Sequence, residues 1–306
     1  MERTVIVIAG PTCSGKSSLG FLLAKKLNSE IISADSRQVY KYLNIGTAKP
    51  DAKILSEIKH HFIDKLDPTE EFNVSKFEKS SLNIFKELFN VHKKPIVVGG
   101  SGLYVRALVD GLFEIEDNDE EYRKHLSDLR KNNGNEFLYE KLMSIDPDAA
   151  ARMLPQNWKR VMRALEVHHI TGRKISDLHK EYEREVNIKF FQFALDWERN
   201  ILYERINNRV DEMIRNGLVK EVKSILEKGF SKELNALNTV GYKEIIMYLK
   251  NEITLERAIE LIKRNTRHFA KRQLTWFNAD KRIYWFKINS ENQLNEISNS
   301  IIELSE

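Results

Sequence analysis

Residues 10–17 read Gly-Pro-Thr-Cys-Ser-Gly-Lys-Ser, an unbroken match to the pattern G-x-x-x-x-G-K-[ST]. No other stretch limits the fold as tightly, because this loop works only between a strand and the N-terminus of a helix. Both flanks are present. Val5–Ala9 is an apolar run that reads as a buried strand, and Leu19, Leu22, Leu23 and Leu27 fall on one side of a helix. Gly10 and Gly15 let the backbone turn its amides inward, with no Cβ in the way of an anion. The helix terminus adds partial positive charge and Lys16 a full one. The Ser17 hydroxyl suits a Mg²⁺ ion. Gly10, Pro11, Thr12, Cys13, Ser14, Gly15, Lys16 and Ser17 therefore predict a phosphate or diphosphate site, without saying which molecule carries the phosphate.

The chain continues in kind. Glu30–Asp35 is a short strand ending on an acid, His61–Asp64 a weaker one, and Pro95–Gly100 a clear one running into glycines. Phe72, Val74, Phe77, Leu82, Phe85 and Leu88 have helical spacing. Strands alternating with helices predict an α/β fold: a P-loop NTPase-like parallel sheet with helices on both faces. From 114 to 135 the sequence is strongly charged, with Glu114, Glu116, Asp117, Asp119, Glu120 and Glu121 close together, and helical periodicity then runs to about 187. The sheet pattern resumes at Ile188–Asp196, and a last strand is expected at Arg282–Phe286. The expected organisation is a P-loop core over 1–115, an inserted all-helical domain over 116–187, and completion of the core with long C-terminal helices over 188–306. A chain of 306 residues, 42% hydrophobic and 31% charged, is long and apolar enough to build it. No apolar run is long enough to span a membrane, no secretory leader precedes the first strand, and the single cysteine, Cys13, excludes an internal disulfide. These features point to the cytoplasm. The net charge of +4 is too small to identify a nucleic-acid partner, so the placement of charge matters more.

Several residues have chemistry to offer. Ligands of open parallel sheets bind beyond the carboxyl ends of the strands, so Asp35 points toward the phosphate site. It can cap the next turn, hold Mg²⁺ directly or through water, or take a proton from a nucleophile; these roles can coexist. The strand before Gly99 lacks the acid that P-loop ATPases use to help hold Mg²⁺, which weakens a hydrolase reading. Gly99-Gly100-Ser101-Gly102 has more glycine than a turn needs. Lys159, Arg160 and Arg163 follow Gln156, Asn157 and Trp158, either as a solvated face or as contacts to a phosphate backbone. A helix from about Thr254 to Phe277 has Ile262, Phe269 and Trp276 as its packing stripe, with Lys263, Arg264, Arg267 and Lys271 opposite. One nearly all-positive face suits nucleic acid or a multiply charged phosphate. Arg205 and Arg209, one helical turn apart, either close over a diphosphate or pair with Asp211 and Glu212.

Taken in order, GPTCSGKS, SADSRQVY (Ser33–Tyr40), GTAKP (Gly46–Pro50), GGSGLY (Gly99–Tyr104), RVMRALEV (Arg160–Val167) with Thr171-Gly172, VGYKE (Val240–Glu244) and TRHFAKRQLTWF (Thr266–Phe277) resemble the bacterial tRNA dimethylallyltransferases. The blocks span nearly the whole chain. The resemblance implies transfer of a dimethylallyl group from dimethylallyl diphosphate to N6 of the adenosine 3′ of the tRNA anticodon, by a monomer that uses Mg²⁺. It implies catalytic roles for Asp35, as acceptor of the N6 proton, and for Lys16, Ser17 and Ser101. It places the diphosphate on Gly10–Ser17 and Arg209, and the metal at Ser17 and Asp35. Contacts to the tRNA anticodon stem-loop are implied for Asp35, Ser36, Arg37, Gln38, Ser101 and Arg123. They are further implied for Gln156, Asn157, Trp158, Lys159 and Arg160, for Thr239, Val240, Gly241, Tyr242 and Lys243, and for Arg267 and Lys271. Flipping the base into a channel would expose its reactive atom. Ser101 stands where the family often has threonine, which keeps the hydroxyl. Cys13 stands where a small residue such as alanine is usual, and is expected to react with alkylating agents that bound donor would exclude. The rival readings are a small-molecule or nucleotide kinase, which leaves the basic helix and the insertion unexplained; a prenyltransferase of free adenine nucleotides, which needs no surface on the scale of tRNA; and a non-enzymatic RNA-binding module, which leaves the phosphate loop and Asp35 unexplained.

Overall fold

A computed structural model describes residues 3–112, 119–182 and 187–306. They form two compact units: residues 1–110 with 187–306, and residues 111–186. The expected boundary between 115 and 116, like Glu114, Glu116 and Asp117, lies outside the described residues.

The first unit opens with β1 (Thr4–Ala9), α1 (Lys16–Lys26), β2 (Ile31–Ser33), α2 (Ala52–Glu57), β3 (His60–His61), α3 (Val74–Asn90), β4 (Ile96–Val98) and α4 (Gly102–Asp110). The second unit is helical: α5 (Glu120–Ile145), α6 (Pro147–Ala150), α7 (Trp158–Thr171) and α8 (Ile175–Glu181). The first unit is then completed by β5 (Lys189–Trp197), α9 (Arg199–Arg215), α10 (Leu218–Glu227), α11 (Tyr242–Leu249), α12 (Leu255–Asn278), β6 (Ile283–Ile288) and α13 (Leu294–Leu304).

The strands pair in parallel in the order β3-β2-β4-β1-β5-β6. β1 is buried along its whole length, as an uninterrupted apolar strand between two helical layers must be. Its residues alternate between the layers. Val5 and Val7 pack with Phe77, Leu108, Val222 and Ile262, whereas Ile6 and Ile8 pack with Leu19, Leu23, Ile206 and Ile297. The register sets Val7 beside Val97, and Val97 beside Ile32. The loops after β1, β2 and β4 therefore leave the sheet side by side, bringing Gly10, Asp35 and Gly99 to one edge.

Two expectations need correction. The strand expected over His61–Asp64 is confined to His60–His61, because Phe62 (φ 62°) and Asp64 (φ 52°) adopt left-handed backbone that a strand does not accommodate. On α12 the buried side chains are Ala258, Ile262, Ala270, Gln273 and Phe277. Phe269 and Trp276, expected to pack, are 40% and 43% exposed, because this side of the helix runs past open cavities that both rings line. Lys263 and Arg267 are not free cations either: Lys263 pairs with Asp211 at 2.7 Å and Arg267 donates to Asn207 Oδ1 at 2.7 Å, both on α9.

The second unit has an apolar core of its own, built on Leu126, Leu138, Leu142, Val161, Leu165 and Ile175. α5 is broken at Gly134, where φ is 87°. Glu166 is buried in this unit and paired with both Arg123 and Arg163, and the Arg123 side chain that reaches it stays 46% exposed. No helix among the described residues is long and apolar enough to cross a membrane.

Candidate active site

The loop after β1 is shaped from within and from behind. Cys13 has φ 62° and Gly15, which caps α1, has φ 90°. The Pro11 carbonyl accepts from Ser14 Oγ at 2.9 Å and from Lys16 Nζ. The amides of Ser14, Gly15, Lys16 and Ser17 have no hydrogen-bond partner among the described residues, which leaves a run of donors at a helix terminus, the geometry of an anion cradle. Desolvation pulls the Lys16 ammonium down to about 8; the neighbouring Cys13 and Asp35 oppose the shift and Arg209 adds to it. Arg209 Nη1 lies 3.6 Å from Cys13 Sγ. Arg205 does not pair with Asp211 or Glu212: it donates to the Cys13 carbonyl at 2.9 Å and pairs with Glu291.

Asp35 divides its two oxygens. Oδ1 accepts from the amides of Arg37 (2.8 Å) and Gln38 (3.3 Å), so it closes the turn, while Oδ2 has no hydrogen-bond partner among the described residues. The cap and a chemical role thus coexist on one carboxylate. Ser101 Oγ accepts from the Ser36 amide at 3.1 Å, which fixes the same turn and leaves the hydroxyl proton free to donate. Gln38 bridges Ser33 Oγ (3.0 Å) and the Thr47 carbonyl (3.1 Å). The glycines after β4 serve packing: a Cβ would overlap the Ala34 backbone at Gly99, the Gln273 amide at Gly100 and the Trp276 indole at Gly102. Gly99 and Gly100 nevertheless line the open space beside the phosphate loop.

Two cavities meet at this edge of the sheet. One, of about 620 Å³, is lined by Thr12–Ser18, Asp35, Gln38, Arg205 and Arg209. The other, of about 340 Å³, is lined by Asp35, Ser36, Arg37, Ser101, Thr239, Val240, Gly241, Lys243 and Arg272. Thr12, Cys13, Asp35, Gly100, Arg209 and Gln273 line both. Segments far apart in sequence thus converge on Asp35. Tyr242 does not join them. It is fully buried, its ring lies against Gly46, and its hydroxyl donates to Glu221 at 2.6 Å. Burial and the Glu221 carboxylate push its ionisation upward, and it lines neither cavity, whereas Val240, Gly241 and Lys243 line the second. In the second unit, Gln156, Lys159 and Arg160 are exposed, and Arg130 lies 3.8 Å above the Trp158 ring.

Two important residues escaped the sequence reading. Glu221 accepts from the amides of Asn44 (3.1 Å), Ile45 (2.7 Å) and Gly46 (3.2 Å), tying the Gly46–Pro50 block to Tyr242. Gln273 accepts from the Thr12 amide at 2.8 Å and donates to the Gly100 carbonyl at 2.9 Å. A signal existed for Gln273, an amide on the buried side of α12. Nothing local distinguishes Glu221 from other surface acids.

A parallel sheet carrying a phosphate loop after its first strand, with a half-used carboxylate opening the loop after the second, defines an enzyme of the P-loop α/β class. A family model described as IPP transferase matches residues 38–280. A tRNA dimethylallyltransferase from Thermoanaerobacter sp. (strain X514) is 44% identical over 99% of this chain and 98% of its own, and one from Acetivibrio thermocellus is 47% identical over 92% and 90%. Among solved structures, the full-length tRNA isopentenylpyrophosphate transferase from Bacillus halodurans superposes with a TM-score of 0.72 at 38% identity, covering 99% of this chain and 96% of that one. A eukaryotic dimethylallyltransferase acting on tRNA gives 0.83 at 30% identity, with 99% and 80% covered. The chain belongs to the IPP transferase family, that of the tRNA dimethylallyltransferases.

Proposed function

We propose that this protein transfers the dimethylallyl group of dimethylallyl diphosphate to N6 of the adenosine 3′ of the anticodon in tRNA, releasing diphosphate. The observation that carries the reading is the shared wall: the carboxylate of Asp35 stands where the phosphate-loop cavity meets the cavity lined by Ser101 and Thr239–Lys243.

In this reading the diphosphate lies on the free amides of Ser14–Ser17, with Lys16 and Arg209 offsetting its charge. The adenine enters the second cavity past Ser36, Arg37, Ser101 and Lys243. The N6 lone pair attacks C1 of the dimethylallyl group, and the C1–O bond breaks with its electron pair going to the diphosphate. The N6 proton passes to Asp35 Oδ2, the oxygen that the turn leaves unused. Ser101, anchored through Ser36, donates its hydroxyl proton toward the base.

Among the described residues no group of three or more His, Cys, Asp or Glu is arranged to hold a metal. Mg²⁺ that arrives with a diphosphate needs only one or two protein oxygens beside phosphate and water. Ser17, exposed on the cavity wall, and Asp35, through water, would hold it. When bound, the ion supplies positive charge to the departing diphosphate. The helical unit is assigned the anticodon stem, which it would grip with Lys159, Arg160 and the Arg130–Trp158 stack.

The test is transfer of radiolabel from dimethylallyl diphosphate to unmodified bulk tRNA, with AMP and ATP as parallel acceptors and Mg²⁺ present or chelated. Label is expected in tRNA alone. Label in AMP or ATP would replace the acceptor, and hydrolysis of ATP without prenyl transfer would overturn the reading.

A further inference from the structure

The back of the phosphate loop is gripped as firmly as its front is open. Trp197, the last residue of β5 and 7% exposed, donates its indole N–H to the Ser14 carbonyl at 2.8 Å. Arg205 donates Nε to the preceding carbonyl, that of Cys13, at 2.9 Å. The guanidinium of Arg205 also lies over the Trp197 ring, 4.3 Å from its centroid, and pairs with Glu291 on the segment before α13. The three side chains form a stacked brace drawn from a strand end, a helix and the C-terminal segment.

A trans peptide is planar, with its carbonyl and amide pointing in opposite directions. Fixing the Cys13 carbonyl therefore aims the Ser14 amide, and fixing the Ser14 carbonyl aims the Gly15 amide. These are the first two unpartnered donors of the cradle. The brace also explains how Cys13, which has a side chain, is held at φ 62°. Taking the loop as the diphosphate cradle, as proposed above, we infer that Trp197 and Arg205 are positioning residues: with Glu291 they orient two peptide planes so that their amides meet the diphosphate. Trp197 does not line the cavity and acts only through the loop. The pairing of Arg205 with Glu291 makes its charge a part of the brace, whereas Arg209 has no carboxylate partner among the described residues.

The test uses Trp197→Phe in the full chain, which keeps the aromatic ring under Arg205 and removes only the N–H donor. Affinities for inorganic diphosphate and for unmodified tRNA are measured by titration calorimetry, and steady-state kinetics give KM for each substrate. The expected result is a loss of about three- to tenfold in diphosphate affinity, as for one hydrogen bond, with an equal rise in KM for the donor. The affinity and KM for tRNA should not move. If Trp197→Phe is poorly folded, Glu291→Gln, which loosens Arg205 from the surface side, should give the same selective loss. Unchanged diphosphate affinity in a folded variant, or parallel losses for diphosphate and tRNA, would overturn the inference. Absence of diphosphate binding by the unaltered protein would instead overturn the cradle, and the brace's purpose with it.

Discussion

The division of labour within Asp35 sets the first expectation. Its Oδ1 holds the turn through Arg37 and Gln38, and its Oδ2 is left for chemistry. Asp35→Asn keeps an oxygen acceptor for the turn and removes the base. Turnover should fall by about 10²–10⁴, the usual worth of a positioned general base, while tRNA affinity stays near that of the parent. Near-normal turnover in single-turnover assays would exclude Asp35 as the proton acceptor. Lys16 gives a second. Its ammonium titrates near 8 in the folded protein against 10.5 when unfolded. Between those values the unfolded chain holds the extra proton, so this residue makes the free protein more stable as pH rises through the window. A bound diphosphate favours the charged form and should reprotonate Lys16. Calorimetry at about pH 9 in buffers of different ionisation enthalpy should therefore report proton uptake on diphosphate binding; a buffer-independent heat would contradict it. The placement of both residues on one cavity wall was legible in the sequence, because it depends on local features, a motif and a strand end.

Contacts between elements were far less legible. The hydrogen bond from Thr12 to Gln273 joins residues 261 positions apart, and no periodicity in either segment encodes it. On α12 the spacing located the helix, but of the expected stripe only Ile262 is buried; the cavities the helix passes leave Phe269 and Trp276, which read as core, exposed. The same limit applied to its cations, whose partners on α9 decide what they can do. Lys271 is exposed and has no carboxylate partner among the described residues, whereas Arg267 is tied to Asn207. Lys271→Glu is expected to weaken tRNA binding and to flatten its dependence on salt by about one counterion. Arg267→Glu should instead lower the melting temperature through the lost contact with α9. Filter-binding curves at several salt concentrations, beside thermal melts, separate the two; equal effects on both measurements would show that the face acts as one.

At the scale of the molecule, two units with separate apolar cores should respond differently to the donor. Ligand present at about a hundredfold excess over its Kd stabilises the fold that binds it by roughly 2.7 kcal/mol. Hydrogen exchange with inorganic diphosphate should accordingly slow in β1, α1 and α9 and stay unchanged in α5–α8. Uniform protection of both units would mean that they unfold as one. The alternation of strand and helix, and its interruption by a helical stretch, was readable because each layer must bury a periodic face. The meeting of two cavities was not, since it depends on how three loops leave the sheet. That meeting has a pharmacological consequence. Thr12, Cys13, Asp35, Gly100 and Arg209 belong to both chambers, so a single small molecule can cross the partition. A diphosphate mimic tethered to an adenine by a linker about as long as the prenyl chain would hold each end at the high effective concentration set by the other. It would compete with donor and acceptor together, and displacing it would take far more of either substrate than displacing a ligand of one chamber alone.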